Sequence, residues 1–193
     1  MELFGDFGVD KTTIRQIASR AGVSPGLVIH HFGSKSGLRE AVDDRIMEKI
    51  AHEKDWFRNG VMPQPGALVE ADPELVVMTR YLVQVLRHDG PAADQIFDRM
   101  CDLTDEFYAE GLAAGLVREP SDRVAAVATL VAYAAGASIL GHHLARRLGG
   151  ASLLDAPVFE RYGRSALELF TKGFFADPSD AAAVEPDSPG RKQ

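Results

Sequence analysis

Apolar residues recur along this chain at three- and four-residue spacing and nowhere alternate with polar ones, so the pattern predicts helices throughout, with no strand and no internal repeat. In the first segment Ile14, Ile17, Ala18 and Ala21 share one face, and Arg15, Gln16, Ser19 and Arg20 share the other. Gly22 ends that helix by taking the left-handed conformation, Val23 turns into the core, and Ser24 caps a second helix with Pro25 at its first position. A connection of three or four residues with a glycine inside it is the helix-turn-helix arrangement, whose second helix enters the major groove of DNA.

The rest of the chain follows the same period. Before the turn, MELFGDFG reads as the end of a helix, with Leu3, Phe4 and Phe7 left to fill the core behind Ile14, Ile17 and Leu38. After it, Ser34 opens a connecting helix that carries Leu38, Ala41, Val42, Ile46 and Ile50 on one side and reaches as far as Trp56. Asn59 to Asp72 holds two prolines and two glycines and reads as a loop acting as a hinge between two halves. Pro73 to His88 is a helix capped by Asp72, with Leu75, Met78, Leu82 and Val85 in one stripe and Tyr81 beside it. Ala92 to Leu116 turns Ile96, Phe97, Met100, Leu103 and Phe107 inward; Asp94, Asp98, Asp102, Asp105, Glu106 and Glu110 face water, a solvated face more simply than a site for a metal or cationic partner.

Ser121 then caps a helix over 122–148 that is apolar all round for five turns, as expected when one face meets its own core and the other a second subunit. Val124 to Gly141 contains no charge and is near the length of a membrane span, but its Ala, Gly and Val content favours a buried helix over a span. Gly149-Gly150 stops it, and a last amphipathic helix covers 157–175 with Val158, Tyr162, Ala166, Leu169 and Phe170 on one side. The tail from Ala176 to Gln193 has no apolar period and reads as disordered.

Thr12 to Ala41 resembles the DNA-binding domain of the TetR family of one-component transcriptional regulators. The resemblance rests on Thr-Ile-Arg-x-Ile-Ala from Thr13, on Ala21-Gly22-Val23-Ser24, on Gly26, on His31-Phe32, and on Ser34-Lys35 followed by Leu38. It implies an all-α fold: a helix-turn-helix domain over 1–45, a helical effector and dimerisation domain over 46–175, and a tail over 176–193. It further implies a homodimer through helices 122–148 and 157–175, bound to a palindromic double-stranded DNA operator as a repressor and released by a small hydrophobic or amphipathic effector. The resemblance also implies that Thr13 and Lys35 meet phosphates, Pro25, Gly26, Leu27 and Ile29 bases or sugar edges, and His30 and His31 the backbone, with Ser24 flanking them. Arg15 remains as a donor to a base or a phosphate.

The chain departs from the family in three places. The family carries a basic or polar residue where this chain has Pro25, and a Tyr where it has Ile29, so a cation and a donor are missing from the reading surface. Ile29 could instead pack inward, and either histidine could be solvated rather than on a phosphate. The short first helix raises the expectation of a start upstream of Met1.

Charge adds one point. The net charge is −7, yet residues 1–42 hold five Lys/Arg (Lys11, Arg15, Arg20, Lys35, Arg39) against four Asp/Glu (Glu2, Asp6, Asp10, Glu40), so the acidity belongs to the other half. The single Cys101 cannot form an intramolecular disulfide, which with the absence of a signal-like start gives a cytoplasmic expectation. No phosphate loop, nucleophile elbow or metal-spaced Cys/His set is present, and nothing asks for a cofactor or a metal, so an enzyme and a purely protein-binding helical module are the weaker readings. Met78, Tyr81, Phe97, Met100, Phe107 and Tyr133 are the candidates for an effector pocket, each of which could equally be plain core. His142-His143 reads as interface or C-terminal helix-dipole chemistry.

Overall fold

The computed structural model describes residues 1–53 and 74–173, and every regular element among them is a helix. In order these are α1 (Glu2–Phe7), α2 (Ile14–Ala21), α3 (Pro25–Phe32), α4 (Lys35–Glu53), α5 (Glu74–Leu86), α6 (Pro91–Ala113), α7 (Arg123–Ile139), α8 (Gly141–Leu148) and α9 (Ala156–Lys172). The expected hinge loop over 59–72, the Asp72 cap, the Trp56 end of the connecting helix and the tail over 176–193 lie outside the described residues.

One apolar core ties the two halves together. Phe4 of α1, Ile46 and Met47 of α4, Met78 and Tyr81 of α5 and Ile96 of α6 meet in it, with Ile17 and Leu38 packed at its edge. Removing a side chain of this size from water stabilises by roughly 1.5–3 kcal/mol, so Phe4 alone gives the short α1 a firm anchor. The α1 helix lies backbone-close against α5: a Cβ on Gly5 would come within 3.2 Å of the Tyr81 amide nitrogen. Phe7, expected in the core, is instead 57% exposed, because the chain turns away at Gly8.

Polar links join the same helices. Tyr81 donates its hydroxyl hydrogen bond to Asp43 of α4, Arg39 pairs with Asp43 at 3.1 Å, and the Arg39 guanidinium donates to Gln95 of α6 at 3.0 Å. Arg39, Asp43 and Tyr81 are all buried, so α4 and α5 share one enclosed polar cluster, which the exposed Gln95 of α6 meets at its edge. At the surface Glu74 receives Arg45 and Lys49 of α4, both at 2.9 Å.

The long apolar helix expected over 122–148 is two helices. Its cap is Asp122, which accepts from the Ala125 amide at 3.0 Å, rather than Ser121. After Ile139 the axis bends by 70° and restarts at Gly141. Gly141 is buried with its α-carbon facing Leu153, where an added Cβ would sit 3.5 Å from the leucine side chain, so packing of the α8–α9 connection accompanies the break. The bend puts His142 and His143 in the first turn of α8, not at a helix C-terminus, which removes the dipole reading for them. No single helix among the described residues is long and apolar enough to cross a membrane.

Candidate nucleic-acid interface

Local chemistry builds the helix-turn-helix. Thr13 caps α2 and forms a reciprocal pair with Gln16: the Gln16 amide donates to Thr13 Oγ1 at 3.2 Å, and the Thr13 amide donates to Gln16 Oε1 at 2.8 Å. Gly22 closes α2 at φ +70, a conformation that suits glycine, and the Val23 amide reaches back to the Ala18 carbonyl at 3.0 Å. Ser24 caps α3 by accepting from the Leu27 amide at 3.1 Å, with Pro25 at the first position. Ala18 and Val28 are buried where α2 and α3 cross. Val23 and Ala21, expected inward, are exposed: the turn rides on the surface and its hydrogen bonds, not burial, hold it.

Two supports were not legible from the motif. Thr12 is buried and its hydroxyl lies 2.8 Å from the Gly8 carbonyl and 3.0 Å from that of Leu3, so it fastens the entry of α2 to α1. Gly37 sits in the first turn of α4 hard against the end of α3, where an added Cβ would lie 2.2 Å from the Phe32 carbonyl oxygen. A glycine two residues after a Ser-Lys helix start was the available signal. Ser34 caps this turn by accepting from the Gly37 amide at 3.0 Å.

The outer face of α3 is bare. Leu27 is 53% and Ile29 42% exposed, and Pro25, Gly26, His30 and His31 are exposed beside them. Inward packing of Ile29 is thereby ruled out; Val28 takes the inward position instead. The ring of His31 stands edge-on to Phe32 at 4.8 Å between centroids. Lys35 donates from Nζ to the Asp10 carbonyl at 3.1 Å, at the start of α4 next to this face. Of the other cations, Arg20 pairs with Glu2 at 2.9 Å and Arg39 is buried with Asp43, whereas Arg15 and Lys11 are exposed and make no ion pair among the described residues.

The second half holds an apolar cavity of about 500 Å³ among α4, α5, α6 and α7. Met100 and Phe107 line it, with Leu82, Leu103, Thr104 and Leu130, and Ile50 of α4 is part of its wall. Of the other anticipated pocket residues, Met78 and Tyr81 belong to the core between α1, α4 and α5, Phe97 stands half-buried outside the cavity wall, and Tyr133 faces a second cavity. The reason is rotation: on α5 it is Leu82, Val83 and Leu86 that turn toward α6 and α7, whereas Met78 and Tyr81 turn toward α1. Burial and the neighbouring Asp98 and Asp102 push the Cys101 thiol up, which makes it a poor nucleophile.

A recognition helix with an uncovered outer face, carried on a packed three-helix support and joined through α4 to a helical body, defines a helix-turn-helix transcriptional regulator that binds DNA. Residues 1–42 match the model described as bacterial regulatory proteins, tetR family, and residues 74–176 match that of the tetracyclin repressor-like C-terminal domain. The chain belongs to this bacterial tetR family of regulatory proteins. It is similar to the HTH-type transcriptional regulatory protein RaaS of Mycobacterium tuberculosis, 34% identical over 184 residues that span 92% of this chain and 84% of that protein. Similarity to the HTH-type transcriptional regulator BetI is confined to one part: 36% identity over 75 residues for an Escherichia coli protein and 49% over 71 for that of Cronobacter sakazakii, covering 39% and 37% of this chain and 35% and 34% of those proteins.

Proposed function

We propose that this regulator is a dimeric, cytoplasmic repressor, without catalytic activity, that a small hydrophobic or amphipathic molecule releases from a palindromic operator. The observation that carries the reading is the apolar cavity with Ile50 in its wall. The α4 helix begins against the end of α3 and continues to that cavity without a break. A molecule that fills the cavity therefore bears on α4, and a shift of α4 changes the separation of the two recognition helices across a dimer. In this reading residues 1–45 are the DNA-binding domain and 46–175 the effector and dimerisation domain.

At the operator, Leu27 and Ile29 meet bases or sugar edges with Pro25 and Gly26, and Lys35 and Arg15 meet phosphates or a base. Thr13 reaches a phosphate only by sharing groups that already cap α2. For the dimer, apolar side chains stand uncovered on α7 and α9: Val124 is 82% and Phe170 56% exposed. A second copy laid on this surface would bury them.

A mobility shift on DNA flanking the gene, run across a salt series, tests the reading: a defined fragment is retained while shuffled DNA of the same composition is released at physiological salt. Equal retention of both contradicts a specific repressor. Sedimentation in dilute buffer gives a dimer, and a stable monomer contradicts the α7–α9 interface.

A further inference from the structure

The apolar cavity does not stand alone. A second one of about 910 Å³ opens beside it and shares the walls Val83, Ala134, Ser138 and Ile139. The two differ in chemistry. Among the described residues the first is lined by no charged or histidine side chain, whereas the second presents Arg80, Asp6 and His142. Arg80 of α5 donates to Asp6 of α1 at 2.7 Å, across the joint where Gly5 lies against the α5 backbone. The 70° bend after Ile139 comes just before His142, which lines this cavity as Arg80 does.

Resting on the effector reading above, we infer that the effector is an amphipathic anion, with its apolar body in the inner cavity and its carboxylate or similar head on Arg80 in the outer one. Arg80 offers a planar fork of donors suited to a carboxylate, and His142 supplies a further ring nitrogen to the head. The head takes Arg80 from Asp6, so binding loosens the fastening of α1 to α5. Because the Thr12 hydroxyl ties α2 to the Gly8 and Leu3 carbonyls of the α1 segment, that loosening is delivered to the helix-turn-helix itself.

Calorimetric titration with decanoate and with decanol, on the full chain at pH 7.5, separates the claims. Decanol reports the apolar cavity and decanoate adds the head. Arg80→Gln weakens decanoate binding about 10- to 100-fold, the range of one charged hydrogen bond, and leaves decanol unchanged. Asp6→Asn breaks the same ion pair but removes the competitor for Arg80, so it tightens decanoate. Decanol binding with a decanoate affinity indifferent to Arg80→Gln overturns the head site and leaves the effector reading standing. Equal weakening of both probes by Arg80→Gln, or weakening of decanoate by Asp6→Asn, makes Arg80 structural and also overturns it. Binding of neither probe overturns both.

Discussion

Tyr81→Phe removes one oxygen from the centre of the protein and nothing else. The Tyr81 side chain is 0% exposed, and its hydroxyl donates to Asp43, which is itself buried beside Arg39. The phenyl ring keeps the packing against Phe4, so the cost is that of leaving a buried carboxylate oxygen short of a donor, about 1.5–3 kcal/mol. For a chain of this size that corresponds to a fall of about 3 to 12 °C in Tm. The pH dependence sharpens the test. Burial holds the Asp43 carboxyl above its ordinary range, although the Tyr81 hydroxyl and the Arg39 cation pull it down. A carboxyl raised in the fold binds its proton more tightly there than in the unfolded chain, so its contribution to stability falls as pH rises from about 4 through the folded value. Loss of the Tyr81 donor raises Asp43 further and deepens that fall. Urea denaturation at equal protein concentration, followed by circular dichroism, should therefore show a larger penalty at pH 7.5 than at pH 5, with an unchanged denaturant slope. A penalty below about 0.5 kcal/mol at pH 7.5, or one that is the same at both pH values, refutes the buried-cluster argument.

Two substitutions probe the reading surface. Alanine in place of glycine inside a helix ordinarily gains about 1 kcal/mol, but Gly37→Ala should reverse the sign, because the new Cβ would lie 2.2 Å from the Phe32 carbonyl oxygen and backbone has to move. A loss of about 1–3 kcal/mol in thermal unfolding, with weakened operator binding, is expected, and a stabilised variant would show that the α3–α4 junction gives way freely. Leu27→Ala should relax the preference at one base position by about 1–3 kcal/mol, read by competition among single-base operator variants. Uniform loss on every variant would place Leu27 in packing.

What was legible in the sequence was local. Gly22, Ser24 and Pro25 act within one turn, and each does in the fold what its chemistry dictates. Helix faces with a clear polar side were legible as well, as in Val42 and Ile46 on α4 and Ile96 on α6. The period failed where it was uninformative: a run apolar on all sides gives no sign of an axis change, so the bend after Ile139 was invisible. Choosing between Met78 and Leu82 as pocket lining was equally beyond it, since both are apolar residues of one stripe and only the position of α1 decides which faces the core. The Arg39–Asp43–Tyr81 cluster joins residues up to 42 apart in the chain, and no spacing rule reaches that far.

The remaining question about this regulator is electrostatic. Five basic residues lie in 1–42, but the fold spends Arg39 in the core and holds Arg20 on Glu2. Lys11, Arg15 and Lys35 are left as the basic side chains of that segment available to phosphates, the last while also donating to the Asp10 carbonyl. In the dimer proposed above these would make about six such contacts, for a slope of log K against log salt near −5, shallow for a two-site reader. Lys35→Ala in both subunits should bring the slope up by about 2 and weaken every sequence by a similar factor, leaving base preference intact. An unchanged slope removes Lys35 from the backbone contacts. A wild-type slope well beyond −5 means that cations outside 1–42 reach the DNA, and the exposed apolar face of Leu27 and Ile29 then carries less of the affinity than its prominence suggests.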